Sequence, residues 1–234
     1  MTDFPVELLS KNGIELTPEA AERFNVYGNY LLEENEKINL TAITDPEEVV
    51  VKHFLDCALF LKYVDLPAGA AVADIGSGAG FPSMVLKILR PDIELTMIDS
   101  LNKRIEFLKR LSDKLRLETE AIHFRAEDAG HQESLRESFD FVTARAVARM
   151  SVLSEYCLPL VKKGGMFVAM KGPAAEEELA DSKNALGILC GEINDVFSYF
   201  LPSGDARSII TVKKISQTPP KYPRQHTKIT KKPL

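Results

Sequence analysis

The chain has 234 residues, 45% of them hydrophobic, and a formal net charge of −5. This length suits one domain with a small extension and is enough to bury a sizeable core. No run of 18 apolar residues occurs, so the sequence predicts no transmembrane span. The N-terminal residues Met1 to Phe4 contain no basic or long apolar stretch, so we expect no secretory signal.

The three cysteines, Cys57, Cys157 and Cys190, are widely spaced and form no C-x-x-C pair. They also do not stand at metal-ligand spacing with any of the four histidines. We therefore expect reduced thiols, a cytoplasmic location and no bound metal.

Charge is distributed unevenly along the chain. The first fifty residues hold eleven acidic and three basic side chains, whereas residues 206–234 hold eight basic and no acidic ones. A basic strip of this kind can contact phosphates whatever the overall charge of the protein. The alternative is a solvated or disordered tail, and charge alone does not decide between the two.

Two amphipathic helices are predicted ahead of any strand. Thr17-Pro18-Glu19 combines an N-cap residue, a proline at the first helical position and an early acid, which predicts a helix over 17–35. Asp45-Pro46 starts a second helix, whose apolar face extends to Leu61. We interpret residues 1–66 as an N-terminal helical cap, 67–214 as the core and 215–234 as a basic C-terminal tail.

Strands and helices alternate after residue 67. The predicted strands are 71–75, 93–99, 119–124, 139–143, 166–170, 195–199 and 208–213, and the predicted helices are 84–89, 103–115, 150–160 and 176–185. This alternation predicts an α/β fold with a mainly parallel sheet covered on both faces. A turn containing Pro202 and Gly204 joins the last two strands, and a hairpin there would place an antiparallel strand in the sheet.

A glycine-rich turn follows the first predicted strand. Asp74 precedes glycines at 76, 78 and 80, and Phe81 stands where a dinucleotide fingerprint has its third glycine. A carboxylate beside the turn repels a pyrophosphate but suits a ligand with a cationic amino group and a sulfonium. The pattern resembles motif I of class I S-adenosylmethionine (SAM) methyltransferases. It favours SAM over a nucleotide cofactor or a turn without a ligand.

Ligands of a doubly wound sheet bind beyond the carboxyl ends of its strands, where three further segments offer suitable chemistry. Asp99 ends the second strand and can accept hydrogen bonds from ribose hydroxyls, unless it caps the next helix instead. Residues 125–128 follow the third strand and are either adenine contacts, as in methyltransferases, or exposed loop residues. Arg145 follows the fourth strand and is either a ligand or phosphate contact or an ion-pair partner.

Motifs along most of the chain together resemble the RsmG (GidB) methyltransferases, which form 7-methylguanosine in bacterial 16S rRNA. The motifs are Asn39-Leu40-Thr41-Ala42-Ile43, His53-Phe54-Leu55-Asp56, Asp74 to Pro82, Asp99 to Arg104, Arg125-Ala126-Glu127, Arg145-Ala146, Lys171-Gly172 and Lys221-Tyr222-Pro223-Arg224. The resemblance implies a class I, Rossmann-like SAM-dependent methyltransferase fold, SAM as cofactor and the small ribosomal subunit as partner. We expect a monomer that binds neither metal nor membrane.

The same resemblance implies a set of site residues. The cofactor contacts are Gly76, Gly78, Phe81, Asp99, Ser100, Leu101, Ala126, Glu127 and Arg145. Candidates for the substrate side are Arg145, His53, Asn39 and Lys171, although His53 could equally be a buried helix residue, and no residue is assigned as catalytic. The expected RNA contacts are Arg224, Lys221 and Lys228.

The chain departs from the family pattern at two places. Ser83 stands where the family usually has a glycine, and the segment 225–230 replaces a basic run with a further glycine and proline. A small residue still fits the helix entry at position 83. The second departure bears on how the tail engages RNA.

Guanine N7 carries an in-plane lone pair and is unprotonated at neutral pH, so its methylation requires no general base. We therefore expect catalysis by positioning, without a histidine or cysteine nucleophile. Side chains cannot enter the deep major groove of A-form RNA, so the target must lie in a loop or be splayed out. Two alternatives stay open: a methyltransferase for another RNA, a protein or a small molecule, and a non-catalytic SAM- or nucleotide-binding module on the ribosome.

Overall fold

Seven strands form one sheet in the order β3-β2-β1-β4-β5-β7-β6 in the computed structural model, which describes residues 3–234. The strands are β1 (Ala71–Ile75), β2 (Glu94–Asp99), β3 (Glu120–His123), β4 (Phe139–Arg145), β5 (Val161–Lys171), β6 (Gly191–Phe200) and β7 (Ala206–Lys214). Met1 and Thr2, which begin the segment expected to lack a secretory signal, lie outside the described residues.

Strand direction confirms the predicted mainly parallel sheet. Strands β1 to β5 pair in parallel, and β7 lies antiparallel between β5 and β6. Strand β5 begins at Val161, five residues before the predicted start. The prediction took Gly164 and Gly165 as a turn that precedes the strand. They lie inside the strand, where Gly164 has φ +86° and the pairing with β4 shifts register.

The strand order places the glycine-rich turn at the point where the sheet reverses its direction of growth. From β1 the chain adds β2 and β3 on one side and then returns to add β4 on the other. The crevice outside the carboxyl ends of β1 and β4 is where open α/β sheets bind ligands. Asp74 and Thr143 are paired neighbours directly below this crevice.

The N-terminal helices cover one face of the sheet. Helix α1 spans Glu7–Lys11 and α2 spans Pro18–Ile38, with the Thr17 hydroxyl accepting a hydrogen bond from the amide of Ala20. Helix α2 runs three residues past the prediction and ends where Asn39 adopts φ +48°. The Tyr27 hydroxyl donates to the carbonyl of Ala79 over 2.6 Å, so this helix is bonded directly to the glycine turn.

The second predicted helix is interrupted by a π-helical segment. It comprises α3 (Pro46–Val49), the π segment Val50–Leu55, α4 (Asp56–Ala58) and α5 (Phe60–Tyr63). Apolar periodicity does not distinguish a single π turn from an α-helix, so the sequence predicted one continuous helix. Such turns occur frequently at functional sites, and this one carries His53 and leads directly into Asp56.

The remaining helices divide between the two faces of the sheet. They are α6 (Ser83–Leu89), α7 (Asn102–Leu115), α8 (Ala126–Ala129), α9 (Met150–Cys157), α10 (Ala175–Ile188) and α11 (His226–Lys231). One apolar cluster joins the N-terminal helices to α6, α7 and side chains such as Val72, and the other joins α9, α10 and α11 to side chains such as Ala73. Within residues 3–234, no helix combines the length and apolar character needed to cross a membrane.

Candidate active site

The glycine turn bends tightly over the end of β1. Gly76 has φ +69°, a conformation that residues with a side chain rarely adopt. A Cβ atom at this position would lie 2.7 Å from Cγ2 of Val147, in the loop after β4. The backbone of the turn is therefore closely covered by that loop, and only glycine leaves enough room.

Asp74 lies beneath the turn and lines neither of the two cavities described below. Its side chain is fully buried, Oδ2 accepts a 2.6 Å hydrogen bond from the Ser83 hydroxyl, and Oδ1 has no partner among the described residues. Burial raises the pKa of this carboxyl to about 7, and the Ser83 hydrogen bond opposes the rise. The small side chain at position 83 thus fits the helix entry and is hydrogen-bonded to Asp74.

A first cavity of about 230 Å³ opens beside the turn, at the carboxyl ends of β2 and β3. Of the expected cofactor contacts, those that line it are Gly76, Asp99, Ser100, Ala126 and Glu127. Its apolar walls include Ile75, Val152 and Tyr156, side chains between which a planar ring could bind.

Asp99 joins the glycine turn to the next helix. Its Oδ2 accepts a hydrogen bond from the amide of Gly78 and its Oδ1 accepts one from the amide of Leu101, each over 2.9 Å. Each carboxylate oxygen keeps a further lone pair for a ligand hydroxyl. Asp99 therefore orders the backbone and lines the cavity, but it does not cap α7, which has no side-chain cap. Its contact with a ribose stays a prediction. Leu101 itself is exposed and is not among the lining residues, so its expected contact has no support in this geometry.

A second cavity of about 480 Å³ lies on the other side of Val147 and Ala148, which line both cavities. Four of its lining side chains are cationic and two are anionic. The cationic residues are Lys52, Arg145, Lys171 and Arg207, the anionic ones are Asp56 and Glu178, and His53 also lines the cavity. This volume is in the range of small-molecule sites.

Arg145 is held at the base of the second cavity by the N-terminal helices. Its Nη1 donates to Oδ2 of Asp56 over 2.7 Å, and its Nη2 donates to Nδ1 of His53 over 2.6 Å. The guanidinium carbon also lies 5.2 Å from the ring centroid of Phe81. Arg145 is therefore an ion-pair partner and also lines the cavity, and its contact with a ligand or phosphate stays a prediction.

His53 is fixed as a neutral ring. Nδ1 of His53 lies 2.6 Å from Nη2 of Arg145, which can only donate, and 3.1 Å from the Lys52 carbonyl, which can only accept. The shorter contact favours an unprotonated Nδ1, with the proton on Nε2, 2.8 Å from the Thr41 hydroxyl. Burial and then the neighbouring Arg145 charge lower the pKa of His53 to about 3. The ring stacks on Phe81 with centroids 4.5 Å apart. His53 is therefore buried, as the alternative proposed, and still lines the cavity.

Asp56 accepts hydrogen bonds at both of its oxygens. Besides Arg145 at Oδ2, its Oδ1 accepts a 2.9 Å hydrogen bond from the Tyr199 hydroxyl, and Nε of Arg207 lies 3.5 Å from Oδ2. Sequence reasoning quoted Asp56 within a motif without assigning it a role, counted Arg207 only among the basic residues of 206–234, and missed Tyr199. No local signal places Tyr199 or Arg207 at this site, because they reach it only through the β6-β7 hairpin.

Of the two remaining substrate-side candidates, one lines the cavity and one does not. Lys171 lies at the end of β5, where Nζ donates to the Ala148 carbonyl over 2.7 Å and lies 2.6 Å from Oε2 of Glu178. Asn39 is exposed, terminates α2 and is absent from the cavity lining. The expectation for Asn39 is therefore corrected: its left-handed backbone turns the chain toward Thr41, which bonds His53.

The C-terminal segment packs against the rest of the protein. Tyr222 and Ile229 are buried, and the Arg224 guanidinium makes paired hydrogen bonds to the fully buried Glu155 carboxylate. This pairing occupies Nε and Nη2 and gives Arg224 a structural role, and its expected contact with RNA stays a prediction. Lys221 and Lys228 are exposed, as RNA contacts would have to be.

Comparison with known proteins identifies the family. A family model described as rRNA small subunit methyltransferase G matches residues 20–201. The ribosomal RNA small subunit methyltransferase G of Lactobacillus acidophilus is 53% identical over 230 residues, covering 97% of this chain and 96% of the relative. That of Bacillus subtilis is 50% identical over 228 residues, covering 97% and 95%. The chain belongs to this family.

Solved structures show the same fold at much lower sequence identity. A predicted O-methyltransferase from Agrobacterium tumefaciens is 21% identical with a TM-score of 0.55, covering 70% of this chain and 82% of that one. A putative methyltransferase from Bacillus halodurans is 12% identical with a TM-score of 0.55, covering 69% and 99%. These similarities confirm the Rossmann-like methyltransferase fold predicted from the sequence of this rRNA small subunit methyltransferase G family member.

Within this fold, the C-terminal segment supplies part of the first cavity. His226 and Thr230 of α11 line it together with Tyr156 of α9, whose hydroxyl lies 2.8 Å from Nδ1 of His226. Sequence reasoning took this segment as an RNA contact or a solvated tail and did not connect it with the cofactor. No local pattern around His226 could have shown that it packs beside residues some seventy positions earlier.

Proposed function

We propose that this protein transfers the methyl group of SAM to N7 of a guanosine in the 16S rRNA of the small ribosomal subunit. One observation carries the proposal. In a chain of the rRNA small subunit methyltransferase G family, a cavity suited to a nucleoside and a larger cavity with a mainly basic lining adjoin each other, and Val147 and Ala148 line both. A cofactor bound in the first cavity and a base bound in the second would be neighbours at the loop after β4.

The residues of the first cavity fit the adenosine part of SAM. The glycine turn brings bare backbone to the cavity, and a Cβ at Gly76 would close it against Val147. Asp99 and Glu127 offer carboxylate acceptors for ribose and adenine donors, and Ile75 and Val152 offer apolar walls for a ring. When bound, SAM supplies an electrophilic methyl group carried on a sulfonium.

Residues of the second cavity suit the positioning of a nucleotide and not the removal of a proton. His53 has no ring nitrogen free, because Arg145 bonds Nδ1 and Thr41 bonds Nε2, and its lowered pKa keeps it neutral. Burial raises the pKa of the Cys57 thiol to about 12, which leaves it inert as a nucleophile. Attack by the N7 lone pair needs neither group, so orientation and exclusion of water remain as the catalytic contributions.

The basic lining and the exposed lysines account for the proposed RNA partner. Lys52 and Arg207 line the second cavity, while Lys221 and Lys228 lie on the surface beside α11. Phosphate contacts from such side chains would make binding depend on salt concentration. The proposed ribosomal substrate supports a cytoplasmic location, and we propose that the protein acts as a monomer.

Transfer of a labelled methyl group to unmodified 16S rRNA, free or in the small subunit, tests the proposal. We expect label in 7-methylguanosine when the product nucleosides are separated and identified by mass spectrometry. Replacing Asp99 by Asn removes one carboxylate acceptor and should raise the Kd for SAM about 10- to 100-fold. The matched variant Asp113→Asn, on the exposed face of α7, should bind SAM as the wild type does.

Other outcomes of the same assay point to the alternatives. Label in a different nucleoside, in protein or in a small molecule would indicate another methyltransferase. SAM binding without any transfer would indicate a non-catalytic module.

A further inference from the structure

The second cavity contains one carboxylate oxygen that no protein group satisfies. Both oxygens of Asp56 are bonded, to Tyr199 at Oδ1 and to Arg145 at Oδ2. Glu178 of α10 differs. Its Oε2 accepts a 2.9 Å hydrogen bond from the amide of Met150 and lies 2.6 Å from Nζ of Lys171, whereas its Oε1 has no hydrogen-bond partner within residues 3–234.

Its surroundings hold Glu178 in place. The Met150 amide is the first of α9, Lys171 is nearly buried at the end of β5, and the Glu178 side chain is 16% exposed. Two elements, α9 and β5, thus hold one oxygen, and the other oxygen is unbonded in a side chain that lines the cavity. An acceptor oriented in advance in this way loses little freedom when a donor binds.

Guanine presents the donors that such an acceptor requires. When N7 faces the methyl donor, the opposite edge of the base carries the N1–H and the N2 amino group, both of which donate. Adenine presents an acceptor at N1, which a carboxylate would repel. Glu178 lines the second cavity and does not line the first, so a base bound in the second cavity is the ligand it can reach.

We propose that Glu178 accepts hydrogen bonds from the N1–H and N2 amino edge of the target guanine and thereby selects guanine for methylation. The proposal rests on the function proposed above and identifies how its substrate base is recognised. Lys171 acts through Glu178, because its charge offsets the cost of keeping a second, free carboxylate oxygen at a partly buried position.

The test compares guanosine with inosine at the target position of 16S rRNA prepared by ligation and assembled into small subunits. Inosine keeps N7, O6 and N1–H but lacks the N2 amino group. We expect kcat/KM of the wild type to be about 10- to 100-fold higher for guanosine, as for hydrogen bonds to a charged acceptor. In Glu178→Ala this ratio should fall to about one, with the Kd for SAM unchanged.

Matched variants separate recognition from a purely structural role. Glu177→Ala removes the neighbouring exposed acid, which pairs with Arg149 outside the cavity, and should keep the wild-type ratio. Glu178→Gln retains an oxygen for the Met150 amide and turns a donor toward the base, so its ratio should also collapse. If the alanine variant does not fold, the ratio measured for the glutamine variant tests whether Glu178 recognises guanine.

Two results would overturn the proposal. One is a wild type that methylates both bases equally well, and the other is a Glu178→Ala variant that is slower on both while keeping the ratio. A wild type that transfers no methyl group to N7 of the rRNA guanosine contradicts the proposed function itself, and that outcome is visible before any variant is compared.

Discussion

The buried ionisable side chains of the site have opposite effects on stability as pH changes. His53 has a pKa of about 3 in the folded protein, below its ordinary value of 6.5, so the unfolded chain binds its proton more readily. Asp74 has a pKa of about 7, above its ordinary 3.8, so the folded protein binds its proton more readily. His53 stabilises the fold less as pH falls from 6.5 toward 3, whereas Asp74 stabilises it less as pH rises from 3.8 toward 7.

Replacement of His53 by Gln isolates the histidine contribution. The amide nitrogen of Gln can still donate to Thr41, but the side chain gains no proton in acid. Between pH 7 and pH 4.5 we expect the wild type to lose about 2 to 3 kcal/mol of unfolding free energy that the variant does not lose. Urea unfolding at a series of pH values measures this difference, and parallel pH profiles would show that His53 is not held neutral.

At the scale of elements, contacts between loops and helices shape the site. The π turn before Asp56, the glycine turn after β1 and the loop after β4 meet at Phe81, Arg145 and Val147. The N-terminal helices therefore cover the core and also contribute side chains to the site. They supply His53 and Asp56, which hold Arg145 where the sheet ends.

Gly76→Ala tests how tightly the glycine turn is covered. Alanine at φ +69° costs about 1 to 2 kcal/mol through backbone strain alone. The new Cβ would also displace Val147, so we expect at least a tenfold rise in the Kd for SAM, measured by calorimetry. Gly69→Ala has the same φ of about +70° and no atom within 4 Å, so it should show the strain without the loss of binding. Equal binding losses in both variants would contradict the contact.

In the whole molecule, the C-terminal segment packs against the core. Its Arg224 bonds Glu155, its Tyr222 and Ile229 are buried, and residues of α11 line the first cavity. The basic residues of this segment thus differ in their surroundings. Arg224 is half-buried and pairs with Glu155, whereas Lys228 is exposed, so these two positions should respond differently to mutation.

Arg224→Ala should destabilise the protein by about 3 kcal/mol, because it leaves the Glu155 carboxylate buried without its charged partner. Lys228→Ala should leave stability unchanged and weaken RNA binding, with the salt dependence of log K reduced by roughly 0.7 to 0.9. Thermal unfolding and RNA titration at several salt concentrations distinguish the two effects. Loss of RNA affinity in Arg224→Ala at full stability would restore the phosphate contact originally expected there.

Much of the fold was predictable because its signals are local. Thr17 and Pro18 begin α2 as predicted, the glycine spacing marks the cofactor turn, and the alternation of elements predicts a parallel sheet. Failures occurred where a local signal was ambiguous. Gly164 and Gly165 resembled a turn but lie in β5, and the π turn at His53 has the same apolar pattern as an α-helix.

The sequence by itself determined the family, the fold and the cofactor turn, because caps, periodicity and glycine spacing act within a few residues of one another. Only the tertiary structure decided which side chains meet. Asp56 bonds Arg145 from 89 residues away and Tyr199 from 143, and Glu155 bonds Arg224 from 69. The physical reason is burial: a charge removed from water must find its partner wherever the folded chain brings one.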